Sequence, residues 1–228
     1  MRKKWSALAL ACALVVTMSA CSGGSTDSIR GSVTPAQTTA TETTVPETAE
    51  PSFAVGSSSG NRYENAFLGI GCTLDENWIF LTDEQIRENN IDASDMMDEE
   101  YQEILENASV VYDMMATNVN EVDTLCLNME KLSGAAKLIT EEQYAQLSLE
   151  NLEGSLSSVG VENIQTSIES ISFAGGTHTC VRVEGEYSGL GVYESMVCYK
   201  RGGYVAVVVA CTWLEDGTQA ILDCFYAL

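Results

Sequence analysis

Hydrophobic and polar residues alternate in several short segments of the chain, a pattern typical of β-strands that bury one face. Clusters of glycine with small or polar residues separate the later segments at the spacing of hairpin turns. The strands predicted in this way cover residues 63–74, 78–80, 122–131, 164–173, 177–187, 192–200 and 204–213. The last strand, YVAVVVACTW, is apolar on both faces, so we expect it at the centre of a sheet that is covered on both sides.

In other segments, apolar residues recur at spacings of three and four, which favours helices. Thr82 and Thr140 each precede a glutamine by three residues, the capping-box arrangement that opens a helix. The predicted helices cover residues 82–89, 98–116 and 140–159, and a closing helix has a buried edge of Ile221, Cys224, Phe225 and Leu228. These elements predict an α+β domain with a mostly antiparallel sheet and helices on both faces.

Residues 1–20 differ from the rest of the chain, because three basic residues precede an apolar run that is too short for a comfortable membrane span. This is the pattern of a secretory signal peptide. The run ends in Met18, Ser19 and Ala20 before Cys21, which resembles the lipobox of bacterial lipoproteins. In that family the cysteine carries a diacylglycerol, so the resemblance implies lipidation of Cys21 and attachment to the extracytoplasmic face of the cell membrane. An ordinary cleaved signal, or an uncleaved anchor, is the alternative.

Residues 21–60 are rich in Thr, Ser, Glu, Gly and Pro and poor in large apolar residues. Such a segment buries too little surface to offset its chain entropy, so we expect a disordered tether. Residues 61–228 then form the globular domain.

The chain is strongly acidic, with 33 Asp and Glu residues against 11 Lys and Arg residues and a net charge of −22. The predicted domain alone holds 29 acidic and 7 basic residues. Because phosphate contacts depend on basic side chains, this composition argues against a nucleic-acid partner. An anionic lipid surface would repel the domain, so attachment to the membrane depends on the lipid on Cys21.

Several landmarks resemble the PsbP/Mog-like fold. They are the early strand that leads into Trp78, the capped helix at Thr140, the run of hairpins that ends in an apolar strand, and a final helix with Ile221 and Phe225. With the signal and the linker, the chain is similar to uncharacterised lipoproteins of anaerobic Gram-positive bacteria. The resemblance implies an α/β/α sandwich over residues 61–228 and a non-catalytic role in binding or assembling an unidentified protein partner. It carries over no catalytic residue and no cofactor.

Six cysteines lie in the predicted domain, and no two of them have the spacing of a zinc knuckle or a redox dithiol. Secretion permits disulfides. Cys180 and Cys198 lie on consecutive predicted strands, where a turn centred on Gly189 sets them opposite each other on one face, so they are the candidate disulfide. The alternative, which we prefer, is that the thiols are buried as small apolar side chains.

An enzyme is one alternative function. His178 and Cys180 are two residues apart on one predicted strand, so both point to the same face, as a Cys–His nucleophile pair would. The surrounding residues match no protease signature, and the chain has no Gly-x-Ser-x-Gly nucleophile elbow. We therefore expect a protein without catalytic activity.

A divalent-cation-dependent ligand-binding domain is the other alternative. The run from Asp83 to Glu106 holds ten carboxylates. Asp92, Asp95 and Asp98 are spaced by three, whereas a calcium loop needs alternating ligands, a central glycine and a final glutamate. We therefore expect this run to form solvated helix starts and turns rather than a metal site.

Overall fold

The computed structural model describes residues 52–90, 108–120 and 122–228, which form two antiparallel sheets and three α-helices. The strands are β1 (Ser57–Ser59), β2 (Arg62–Asn65), β3 (Ile70–Thr73), β4 (Trp78–Phe80), β5 (Val110–Asn118), β6 (Thr124–Lys131), β7 (Val161–Phe173), β8 (Gly176–Tyr187), β9 (Leu190–Arg201), β10 (Tyr204–Trp213) and β11 (Phe225–Ala227). The helices are α1 (Asp83–Asn90), α2 (Glu141–Ser158) and α3 (Thr218–Leu222), and a 3-10 helix at Gly134–Leu138 precedes α2. The α+β class expected from the sequence is confirmed.

Seven strands form the larger sheet, in the order β4-β5-β6-β10-β9-β8-β7. Strands β7 to β10 follow one another through tight turns, so each pairs with its neighbour in sequence. β10 lies between β6 and β9, and every residue from Val205 to Cys211 is at most 3% exposed. The central position expected for this strand is confirmed.

The two faces of the larger sheet are covered by different layers. Val205, Val207 and Val209 pack with α2 on one face. The alternate residues of β10 pack on the other face with α3 and with the smaller sheet, whose order is β1-β2-β3-β11. Helices therefore lie on both faces of the larger sheet, as predicted. The sequence predicted only one sheet, however, whereas a second sheet covers most of one face of the larger sheet.

Helix α2 begins with the capping box predicted from the sequence. The backbone N–H of Gln143 donates to Oγ1 of Thr140 at 3.1 Å, and Oε1 of Gln143 accepts from the Thr140 N–H at 2.9 Å. The same reciprocal bonds join Thr82 and Gln85 at the start of α1. The side of α2 that packs on the larger sheet includes Tyr144, Ala145, Leu152 and Leu156.

The folded domain begins before residue 61, where the sequence placed the end of the tether. The ring of Phe53 stacks on that of Tyr204 with their centroids 4.8 Å apart. The backbone N–H of Gly56 donates to Oδ1 of Asp113 at 2.6 Å, and the hydroxyl of Tyr63 donates to the other carboxylate oxygen. Burial raises the pKa of Asp113, although these hydrogen bonds oppose the shift. Residues 52–60 are therefore part of the domain.

The helix predicted over residues 98–116 is wrong in its second half, because Val110–Asn118 form β5. Residues 98–107 lie outside the described part of the chain. A bulge between Tyr112 and Met114 shifts the pairing of β5 with β6. The extra residue leaves Val111 and Met114 both buried at a spacing of three, which imitates one side of a helix.

The closing helix is also corrected. Helix α3 ends at Leu222, and Phe225 then pairs with Cys72 as part of β11. Cys224 is half-buried, and Leu228 is 55% exposed rather than buried. Because Ile221 belongs to a helix and Phe225 to a strand, their spacing of four does not describe one helical face.

Candidate functional site

An open groove of about 530 Å³ runs beside the edge strand β7, on the face of the larger sheet that carries α3. We call it the β7 groove and define it by Gln165, Glu169, Arg182, Glu184, Tyr193 and Asp216. The pairing of three strands brings these side chains together, because Gln165 lies opposite Glu184, and Glu184 lies opposite Tyr193. Asp216 enters from the turn before α3.

Alternation along β8 explains why the groove is polar. Val181 and Val183 point toward α2 and are buried, whereas Arg182 and Glu184 point to the opposite face. The smaller sheet does not bury this part of the face, since Glu169 and Glu184 remain exposed. A strand can therefore be apolar on one side and lined by charges on the other.

Arg182 fixes the base of the groove. Its Nη1 donates to Oγ1 of Thr218 at 2.7 Å and to the hydroxyl of Ser195, and its Nη2 donates to Oε1 of Gln219 at 3.0 Å. Its Nε forms an ion pair with Glu169. Burial lowers the pKa of Arg182, but its hydrogen bond with Glu169 and the negative charges around it, including those of Glu169 and Asp216, outweigh burial, so the net shift is upward and the guanidinium stays charged.

The groove carries an excess of negative charge. Three carboxylates, those of Glu169, Glu184 and Asp216, surround the single guanidinium of Arg182. The guanidinium forms an ion pair with Glu169 and also interacts with the charge of Asp216, so the groove holds two more carboxylates than guanidinium groups. The groove is thus suited to a cationic group.

Glu194 borders the groove through its position on β9, but its side chain lies on the opposite face. It pairs in register with Val183 and Cys211, and it is 3% exposed. Burial raises the pKa of Glu194 to about 7, while a hydrogen bond with the Cys211 thiol opposes the rise. Its Oε1 has no hydrogen-bond partner among the described residues.

A second polar cluster lies at the start of α2. Oε1 of Glu141 is 3.0 Å from Nδ1 of His178 and accepts the backbone N–H of Lys200 at 2.8 Å. Burial raises the pKa of Glu141, but its bonds with His178 and Lys200 outweigh burial and lower it overall. The His178 ring also contacts those of Phe173 and Tyr199, with centroids 6.1 and 4.8 Å away. These contacts hold α2 against the ends of β8 and β9.

His178 and Cys180, the pair weighed as a possible nucleophile and base, lie on one strand face as expected. The polar partner of the imidazole is Glu141, and Sγ of Cys180 donates to the backbone oxygen of Val181 at 3.6 Å. Burial raises the pKa of Cys180 to about 11. Because the thiolate is the nucleophilic form, this environment does not activate the thiol.

The register of β8 and β9 corrects the Cys180–Cys198 pairing. Cys180 lies opposite Val197, and Cys198 lies opposite Thr179. Since neighbouring residues of a strand point to opposite faces, the two thiols lie on opposite sides of the sheet. Both are free and buried. The thiols of Cys72, Cys126 and Cys211 are also buried, and that of Cys224 is half-buried.

Other residues weighed in the sequence analysis lie outside the described ranges. Cys21 is one of them, and so are Asp92, Asp95 and Asp98 of the acidic run. Asp83 and Glu84 form the first turn of α1. The described ranges contain no group of three or more His, Cys, Asp or Glu residues arranged to hold a metal ion.

Within the same ranges, no helix is both long and apolar enough to cross a membrane.

The sequence did not identify the β7 groove. A signal was present in HTCVRVEGEY, where Arg182 and Glu184 alternate with valines. A strand that places charges on one face cannot have that face fully covered by a core. What the alternation does not show is that β7 is the last strand of the sheet, which leaves the groove open.

No protein family matches the chain, and no curated protein matches its sequence. Solved structures to which the chain is similar include PsbP of the cyanobacterium Synechocystis, which is 11% identical with a TM-score of 0.44; the match covers 77% of this chain and 94% of the PsbP chain. LpqN of Mycobacterium tuberculosis, involved in cell envelope biogenesis, is 16% identical with a TM-score of 0.36 over 68% of this chain and 76% of its own. PA94 of Pseudomonas aeruginosa, a protein of unknown function, is 13% identical with a TM-score of 0.28 over 39% of this chain and 58% of its own. Each score is below 0.5, and the α+β class rests on the strands and helices described above.

Proposed function

We propose that the protein is a non-catalytic binding module, held at the extracytoplasmic face of the cell membrane by a lipid on Cys21, and that it binds a protein partner through the β7 groove. The observation that carries this proposal is the groove itself, an open surface lined by polar and charged side chains. It is continuous with the exposed side chains of β7, so a partner can contact both at once.

The character of the groove favours a protein over a small molecule. Small-molecule sites are usually enclosed and mostly apolar, with a few polar groups that orient the ligand. The β7 groove is open, and Glu169, Glu184 and Asp216 are exposed beside it. Exposed charges of this kind are typical of the polar rim of a protein interface, where they select partners and direct their approach.

The anchor and the tether explain how such a module is displayed. The segment before Cys21 has the features of a lipoprotein signal, and two acyl chains are enough for stable attachment. The tether that the sequence predicts between Cys21 and residue 52 would have a reach of roughly 30 Å. The acidity of the domain disfavours contact with anionic lipid, so the domain would extend away from the membrane.

A matched pair of charge-reversed variants tests the function. Gln165→Lys with Glu184→Lys changes the charge of the groove, and Gln146→Lys with Glu150→Lys makes the same change on the exposed side of α2. Each protein is cross-linked to its neighbours in native envelope, and the products are quantified by mass spectrometry. We expect one defined partner whose yield falls with the groove variant and is unchanged with the α2 variant.

Two results would contradict the proposal. A partner whose yield is the same with both variants would show that the groove is not the binding surface. Mass spectrometry of the mature N-terminus tests the anchor independently, because a Cys21 without diacylglycerol would show that no lipid attaches the protein at this residue.

A further inference from the structure

Strand β7 is the longest strand of the larger sheet and lies at its edge. It has 13 residues and pairs with β8 on one side. Its other side faces no strand among the described residues. The opposite edge strand, β4, has only three residues. An edge of this length presents backbone N–H and C=O groups on which a further strand can pair.

The part of β7 available for pairing is regular. The register with β8 shifts between Glu162 and Gln165, and Asn163 has a positive φ of 54°, so the strand is bulged near its start. From Gln165 to Phe173 the register is continuous over nine residues. At about 3.3 Å per residue this gives roughly 30 Å of edge, which exceeds the length of an ordinary strand. The bulge disrupts regular strand pairing at the start of β7 and leaves the residues from Gln165 to Phe173 available for pairing.

We propose that the partner contributes an extended segment that adds to β7 as an outer strand and places a lysine or arginine side chain in the β7 groove. This inference rests on the proposed function and specifies its partner. An added strand lies about 4.8 Å from β7, so its groove-side residues stand next to Gln165, Ser167 and Glu169. A long basic side chain at such a position extends toward Glu184 on the adjacent strand.

The side of β7 that faces α2 indicates which residues of the added strand should be apolar. Ile164 and Ile168 lie on the α2 side, half-buried at the margin of the core beneath α2. Side chains of an added strand alternate between the two faces. Apolar residues on this side would cover the exposed remainder of both isoleucines. The segment that fits is therefore extended and alternates basic with apolar residues.

Charge distinguishes this partner from two segments of the protein itself. The linker over residues 21–51 holds four acidic residues and one basic residue, so the groove carboxylates repel it. A second copy of β7, VENIQTSIESISF, brings two glutamates and no basic residue. Like charges on neighbouring strands are destabilising. A basic segment from another protein is the occupant that complements the site.

The test uses the full chain in detergent micelles and a synthetic peptide of alternating lysine and valine. Binding is measured by fluorescence anisotropy, and the contact surface by backbone amide NMR. Three comparison peptides accompany it: one of alternating glutamate and valine, one with the same lysines and valines in two blocks, and one N-methylated at alternate amides. N-methylation removes the donors that an added strand needs while keeping charge and side chains.

We expect the alternating lysine peptide to bind and to shift amides of β7 first. The Gln165→Lys, Glu184→Lys variant should weaken that binding by about tenfold, since exposed charge pairs contribute modestly, and the Gln146→Lys, Glu150→Lys variant should not. The glutamate, block and N-methylated peptides should bind the wild-type protein no more tightly than the alternating lysine peptide binds the Gln165→Lys, Glu184→Lys variant.

Equal binding of the N-methylated peptide would overturn strand addition while leaving a groove that binds cations. Absence of binding, or equal binding by both variants, would overturn the inference altogether. In either case the cross-linking of native envelope decides separately whether the groove binds a protein in another way.

Discussion

The hydroxyl of Thr218 accepts a hydrogen bond from Nη1 of Arg182 at 2.7 Å, which joins the first residue of α3 to β8 at the base of the β7 groove. The same hydroxyl is 2.7 Å from Oγ of Ser195 and donates to Oδ1 of Asp216 at 2.6 Å. Thr218 is 1% exposed, so these bonds are shielded from water. One buried side chain therefore sets the position of two residues that define the groove.

Replacing this hydroxyl should destabilise the domain. Thr218→Val keeps the shape of the side chain but leaves the Ser195 hydroxyl without its acceptor, so we expect the free energy of unfolding to fall by about 1–3 kcal/mol. Thr218→Ser retains the hydroxyl and serves as the control. Urea unfolding measures both, and a valine variant no less stable than the serine variant would show that the bonds contribute nothing.

Gly185 of β8 provides a test of how closely the start of β7 packs against β8. A Cβ at this buried position would lie 2.7 Å from Cγ1 of Val161 and 3.2 Å from the backbone oxygen of Glu162, just where β7 is bulged. Gly185→Ala should therefore cost about 1–3 kcal/mol of stability through overpacking. Gly154→Ala on the exposed side of α2 meets no atom within 4 Å and should instead stabilise the protein by about 0.5–1 kcal/mol. Thermal unfolding that ranks the two variants in the opposite order would contradict the packing described here.

Burial of Glu194 should make stability depend on pH. Its pKa is raised from 4.5 to about 7 in the folded protein, so the folded state binds more protons than the unfolded state between these values. The stability associated with this group is complete below about pH 4.5 and is lost as the pH rises through 7. At about 1.4 kcal/mol per pH unit, the loss amounts to roughly 3 kcal/mol.

Glu194→Gln removes this titration and should flatten the change in unfolding free energy between pH 5 and 8. Asp113, whose pKa burial also raises, keeps its own contribution, so the slope decreases rather than vanishes. Glu184→Gln changes an exposed carboxylate of the adjacent strand and is the control. Identical slopes for wild type and Glu194→Gln would show that the carboxylate is not shielded from water.

Alkylation distinguishes the thiols by burial. Cys224 is half-buried, whereas the other five domain cysteines are buried, and burial raises the pKa of Cys72 to about 12. We expect iodoacetamide to modify Cys224 first in the native protein. In denaturant without reductant, all six should react, as measured by peptide mass spectrometry. A cross-linked peptide that joins Cys180 to Cys198 would contradict the register of β8 and β9.

Local signals predicted much of the fold. Glycine-rich turns placed the strands from β7 to β10 within a few residues of their observed ends, and the pattern from Thr140 to Gln143 marked the start of α2. These features depend on residues close in sequence. A one-residue difference in register nevertheless reverses a face, which is why Cys180 and Cys198 do not meet.

Features that depend on distant contacts were missed. β11 has three residues and exists because Phe225 pairs with Cys72, far away in the chain. The bulge in β5 gave Val111 and Met114 a helical spacing, which only the pairing with β6 resolves. The β7 groove likewise depends on the order of strands, since the sequence of β7 does not show that it lies at an edge.

Photo-cross-linking in living cells tests protein binding at the β7 groove most directly. Benzoylphenylalanine replaces Ser167, which is exposed on the groove side of β7, and, as a control, Ser157, which is exposed on α2. We expect a discrete cross-linked protein from residue 167 that is absent from residue 157. Products that are the same from both positions, or no product from residue 167, would contradict binding at the β7 groove.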